Sequence, residues 1–266
     1  MRPLDHVVFN TRDRTDEVVA WFERLGFFVT ARGHHSLGSI NHTVVFETDY
    51  VELLGYPPGA PPTRRPELEA CPLGLLATVL RSDDADATWQ QLKRAGLTPR
   101  PVQAFSRPVD LEDGRHAEAA FRVTRLEPDA VPGTWFYFCQ HLNPELVWRR
   151  EWQQHANAAC GMAAIAIDVP DIGAAAPLYA SCTATAAAPV NHADALIFPL
   201  GAAELRLRQT PGGARMTGLC FAVRSLEALR ARLRKQAIAF EQDDKGIVID
   251  RSASFGSQLQ FRVPAR

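Results

Sequence analysis

Leu4-Asp-His-Val-Val-Phe-Asn10, followed by Asp16 to Leu25 and closed by Gly26, is the stretch that decides the fold of this chain. The first segment is short, β-branched and bounded by polar residues, which predicts a strand. The second carries Val18, Val19, Trp21, Phe22 and Leu25 at helical spacing, and Gly26 suits the left-handed residue that ends a helix. Phe27 to Thr30, Thr43 to Glu47 and Tyr50 to Gly55 read as three more strands. The order is β-α-β-β-β.

Working outward, the same order recurs. Leu73 to Leu80 reads as a strand and Asp83 to Ala95 as a helix ended by Gly96, with strands at Ala119 to Arg125 and Thr134 to His141. A third copy starts at Gly161 to Asp168, runs through a short helix to Tyr179 and closes at Ala203 to Arg208. A fourth starts at Gly218 to Val223, has a helix from Ser225 to Gln236 with Ser225 as N-cap, and closes at Ser257 to Arg262. Phe46 precedes Glu52 by six residues, and Phe198 precedes Glu204 by six, which relates the first and third copies. The proline-dense segment from Pro57 to Pro66 predicts an extended crossover. Trp148 to Asn157 reads as a polar, partly helical linker, with its His155 solvated. Ala104 to Arg115 reads as a long loop of the kind that forms lids.

The 266 residues, 46% apolar and 22% charged with a net charge of −1, describe a globular chain of two ordinary domains, here residues 1–157 and 158–266. Without a basic stripe the composition argues against nucleic acid as a partner. The absence of a long apolar run argues against a membrane span. The polar start of the chain shows no secretory signal, and five scattered cysteines predict reduced thiols, so the expected location is cytoplasmic. The expected partners are a small-molecule substrate and a second copy of the chain in a homodimer.

The repeated β-α-β-β-β units resemble the vicinal-oxygen-chelate superfamily of glyoxalases, dioxygenases and bleomycin-resistance proteins. Two segments, His34-His-Ser-Leu-Gly-Ser-Ile-Asn41 and Tyr50-Val-Glu-Leu-Leu54, resemble its glyoxalase-3-like group. Cys139-Gln-His-Leu-Asn-Pro-Glu-Leu-Val-Trp-Arg149 and Trp152-Gln-Gln-His-Ala-Asn157 are similar to that group's second signature. The resemblance covers about residues 4 to 160. It implies an α+β fold in which βαβββ modules pair into curved mixed sheets with the helices outside. It also implies a divalent metal held by residues of the first and last strands of each module.

Carried onto this chain, the resemblance makes His6 and Glu52 metal ligands, with Glu52 also the catalytic carboxylate. The first strand of module two offers only Leu76 and Ala77. Its last strand offers Gln140 and His141, which must point to opposite faces. His141 shares parity with Tyr137 and Cys139, a set suited to a semi-polar cavity, and completes a His6, Glu52, His141 set for iron, manganese, zinc or nickel. If Gln140 faces inward instead, the site holds a metal poorly or holds none. His35, Asn41 and Gln140 are the candidate substrate contacts. The second half keeps only Glu204, with Gln258 or Gln260 on its last strand, and reads as a degenerate scaffold.

Each of these residues has a plainer reading. Strand histidines are often satisfied core residues, Asn41 also suits the closing of an Asx turn, and His116 and His192 stand alone. Two functions follow from the pattern. One is a metal-assisted lyase, isomerase or dioxygenase acting on a small oxygen-rich molecule. The alternative is a metal-free binding or sequestering protein of the bleomycin-resistance type, with Trp21, Phe121, Trp135 and Phe136 available as aromatic walls.

Overall fold

The computed structural model describes residues 1–35, 38–60, 65–110, 116–189 and 195–264. Part of the proline-dense crossover (61–64), part of the expected lid (111–115) and His192 lie outside the described residues.

Four βαβββ modules follow one another. The first is β1 (Leu4–Arg12), α1 (Thr15–Leu25), β2 (Gly33–His34), β3 (Ile40–Val45) and β4 (Tyr50–Gly55). A short α2 (Glu67–Ala70) lies in the crossover to β5 (Gly74–Arg81), α3 (Ala85–Arg94), β6 (Gln103–Asp110), β7 (His116–Arg125) and β8 (Trp135–His141). The second half repeats the plan. It has β9 (Ala159–Val169), α4 (Ile172–Thr183), β10 (Ala188–Pro189), β11 (Ala195–Leu200) and β12 (Ala203–Gln209). Its last module is β13 (Arg215–Val223), α5 (Leu226–Lys235), β14 (Glu241–Gln242), β15 (Ile247–Arg251), α6 (Ser252–Phe255) and β16 (Ser257–Arg262).

Each pair of modules makes one mixed eight-stranded sheet, in the orders β2-β3-β4-β1-β5-β8-β7-β6 and β10-β11-β12-β9-β13-β16-β15-β14. Within a module the first strand runs parallel to the last, as in β1 with β4 and β5 with β8. Between modules the first strands meet antiparallel, as in β1 with β5 and β9 with β13. The helices lie outside the sheets. Their ends follow the local chemistry. Gly26 takes φ +94 at the end of α1, where a side chain would meet Asn157 at 3.0 Å, and Ser225 accepts from the Ala228 N–H to cap α5.

Two expected elements differ. Phe27 to Thr30 is not a strand. Phe27 is drawn instead into an aromatic cluster with Phe221, 4.8 Å away, and Phe261, while Thr30 is tied to Thr43. Gln103 to Asp110 is not a loop but the edge strand β6, paired along its length with β7. Alternation explains it: Phe105, Arg107 and Val109 all turn to one face, a period of two that Ser106 and Pro108 obscure in the sequence.

One core cluster runs through both halves, joining Phe9, Phe22 and Phe27 to Tyr179, Phe221 and Phe261. At roughly 1.5–3 kcal/mol for each large side chain buried, this contact is a major part of the stability of either half. His155 is part of it rather than solvated. Its Nε2 lies 2.9 Å from the Val45 carbonyl, its Nδ1 accepts from the Phe28 N–H, and its ring packs against Phe46. Burial pushes its pKa down to about 4, so the linker is pinned by a neutral imidazole.

Candidate active site

The other face of the first sheet curves around a cavity. Strand after strand supplies residues at i and i+2. Asn41 and Thr43 come from β3, Tyr50 and Glu52 from β4, Phe105 and Arg107 from β6, Phe121 and Val123 from β7, and Tyr137 and Cys139 from β8. His6 comes from β1, Val79 from β5, and His35 and Arg65 from the connecting segments. All of these belong to the first half.

β1 does not alternate strictly. Its pairing with β5 slips between Leu4 and His6, a β-bulge. Leu4, Val7 and Phe9 therefore face the helix-side core, while Asp5 and His6 both turn to the cavity side with Val8. Asp5 is fully buried, and its Oδ1 lies 2.7 Å from His6 Nδ1 and 3.0 Å from His141 Nε2. Burial alone would raise its carboxyl. The contacts that His141 and His6 make with it outweigh that and hold it well below the usual carboxylate range.

Glu52 lies at the centre of the polar end. Asn41 donates to its Oε1 at 2.8 Å. His6 Nε2 faces its Oε2 at 3.9 Å, and His35 Nε2 faces its Oε1 at 3.8 Å. Neither distance is a hydrogen bond. Burial opposes the charge on Glu52, but His35, His6 and the Asn41 amide together keep its pKa below the ordinary value. Burial pushes His35 down to about 4, so it is a neutral imidazole, and its Nδ1 lies 2.9 Å from Ser39 Oγ. Tyr50 stacks on His6 with centroids 4.3 Å apart, which fixes the ring plane.

The structure thus brings His6, His35, Asn41 and Glu52 together. It sets His141 apart: that ring shares the parity of Tyr137 and Cys139, but it binds Asp5 and packs on Trp148 at 4.6 Å, outside the cavity lining. Gln140 is not a cavity residue. It points to the opposite face, where its Oε1 accepts the Ala85 N–H at the start of α3. Of the four aromatic walls expected, Phe121 lines the cavity, whereas Trp21 and Phe136 are core and Trp135 lies elsewhere. Asp5 was missed because strict alternation with Val7 and Phe9 places it on the helix side. Arg107 was missed because its strand read as a loop.

Among the described residues, two places in the first half offer metal donors. Asp5, Cys139 and His141 have ligating atoms all within 4.8 Å of one another. They fit an ion poorly, because His141 Nε2 is already spent on Asp5 and burial pushes the Cys139 thiol well up. His6 and Glu52 fit better. With Nδ1–H donated to Asp5, the Nε2 lone pair of His6 faces a carboxylate oxygen across 3.9 Å. That spacing lies just within the span of two ligands that each approach a common ion at about 2.0–2.2 Å.

A sheet built from paired βαβββ modules, closed around a His- and carboxylate-bearing cavity, defines a protein of the vicinal-oxygen-chelate class. Residues 4–183 match the family described as Glyoxalase-like domain, and the chain belongs to that family. Among solved structures, a hypothetical protein from Staphylococcus aureus superposes with a TM-score of 0.69 at 10% identity, covering 99% of this chain and 100% of that one. A mutant of 4-hydroxymandelate synthase from Streptomyces coelicolor gives 0.56 at 16% identity, covering 100% and 94%. A xylose isomerase-like TIM barrel/4-hydroxyphenylpyruvate dioxygenase fusion protein gives 0.60 at 14%, with this chain spanning 49% of its length. At such identities the likeness is one of fold. No curated protein matches the chain.

Proposed function

We propose that this protein is a metal-assisted enzyme, a lyase, isomerase or dioxygenase, acting on a small oxygen-rich molecule in the cavity of the first sheet. The observation that carries the reading is the opposition of His6 Nε2 and Glu52 Oε2 at 3.9 Å, with His6 Nδ1 engaged by Asp5. Two lone-pair donors facing each other in a buried site call for a positive charge between them. His6 and Glu52 would hold the ion, with His35 the nearest third donor. A divalent ion there supplies a Lewis acid for vicinal oxygens. Asp5 orients His6, Asn41 orients Glu52, and the aromatic walls exclude water. Glu52, kept ionised, is the group placed to accept a proton from a bound substrate. The two neighbours bearing synthase and dioxygenase names support enzymatic chemistry on this fold.

Metal analysis of protein purified without chelator tests the reading. Close to one ion per chain, lost in His6→Ala and Glu52→Gln, is the expected result. A stoichiometry near zero that no divalent ion restores would overturn it.

One observation favours the second reading, a metal-free binding protein. The cavity-facing residue of β5 is Val79, paired with His6 across the first strands, so module two contributes no first-strand ligand. Apolar ligands that raise Tm equally with and without chelator would support it.

A further inference from the structure

Arg107 has no part in the reading above. It stands on β6 between Phe105 and Val109 and lines the cavity at 8% exposure. Among the described residues, no hydrogen bond or ion pair reaches its guanidinium. Glu52 and Tyr50 act on it only through space, while burial pulls its pKa down. An arginine stays charged under such a pull.

A largely buried cation whose donors open on a cavity and meet no protein partner among the described residues is suited to receive an anion there. Glu52 is not that anion. It lies beyond ion-pair distance and is engaged by Asn41. The planar fork of guanidinium donors matches a carboxylate, which it binds through two parallel hydrogen bonds. The walls beside it are apolar and flat: Phe105 and Phe121 stack with centroids 5.2 Å apart and planes 26° apart, and Val123 follows on β7. Arg125, the next cation on that strand, is held by Gln103 and lies over the Tyr137 ring.

We propose that the cavity takes a small carboxylic acid with an aromatic or apolar body, its carboxylate bound by Arg107 and its body against Phe105 and Phe121. This rests on the cavity being the active site, and it does not depend on the metal.

The test is calorimetric binding of 3-phenylpropionate, its neutral amide and inorganic phosphate to the full chain, both as purified and after chelation. The acid should bind at least tenfold more tightly than the amide in both preparations. Arg107→Met should erase that preference and leave metal content unchanged, and Arg107→Lys should keep part of it. Equal affinity for acid and amide, no detectable binding of the acid, or tighter binding of phosphate would each overturn the proposal. So would a preference that survives in Arg107→Met. The comparison of acid with amide on the unaltered protein stands even if that variant fails to fold. An intact preference in protein that binds no metal would sink the metal reading alone.

Discussion

His6 and Asp5, neighbours in sequence on one strand, lie on the same face of the first sheet with Nδ1 and Oδ1 2.7 Å apart. A regular strand forbids this, because successive side chains alternate. The bulge at the start of β1 permits it and makes a carboxylate–imidazole pair whose free nitrogen looks at Glu52.

That pair yields the first prediction. In Asp5→Asn, the amide can no longer accept from both His6 and His141 as a charge, so the orientation of His6 is lost. Metal affinity should fall about 10–100-fold, the usual effect of removing a carboxylate behind a ligating histidine. A competition titration against a chromophoric chelator reads it. Unchanged affinity would mean that Asp5 plays no part in presenting His6.

His35, inside the cavity, and His141, outside it, should separate cleanly. His35→Ala removes a neutral imidazole facing Glu52 and should lower metal stoichiometry. His141→Ala leaves the buried Asp5 with one partner fewer and should cost about 1–3 kcal/mol of stability while metal content holds. Metal analysis and denaturant unfolding of both variants decide the matter. The reverse pattern would move the ion to the Asp5, Cys139, His141 group.

Gly33 is a test of packing at the site. A Cβ there would lie 2.3 Å from Asn41 Oδ1, far inside contact distance. Gly33→Ala should push Asn41 away from Glu52 and cost about 1–3 kcal/mol. Ligand binding, followed by calorimetry, should fall with it. Asn41→Ala should reproduce the binding loss with less cost in stability.

Asp49 makes stability pH-dependent. It lies between the halves, accepting the Met162 N–H at 3.0 Å, and burial raises its pKa to about 7 against weaker opposing contacts from Met162, Thr48 and Arg81. Its folded pKa exceeds its unfolded value, so the folded state holds the proton more tightly. The contribution is complete below about pH 4 and is lost as pH rises through about 7. Asp49→Asn keeps the Oδ1 acceptor without the charge. It should leave stability flatter between pH 4 and 8 and raise it at pH 8 by an amount on the order of 4 kcal/mol. Urea melts across that range check it, and an unchanged pH profile would refute the assignment.

Much of the fold was legible in the chain because it depends on local rules. Helix periodicity with a closing glycine marked α1, and strand-like segments with apolar residues among polar ones marked β4 and β16, these two strands bounded as the structure bounds them. His6 and Glu52 could be paired before any coordinates because the resemblance places ligands on the first and last strands of a module. The parity of Tyr137, Cys139 and His141 also followed from the period of two. What the chain alone could not show depends on long-range contacts. Tertiary packing pulled Phe27 out of a strand and into a shared core with Phe221. Pairing with β7 made a strand of Gln103 to Asp110 and so carried Arg107 into the cavity. Most of all, a one-residue slip between β1 and β5 turned Asp5 towards the site. Register belongs to the pair of strands and not to either sequence, which is why His141 could be assigned a face and still not a partner.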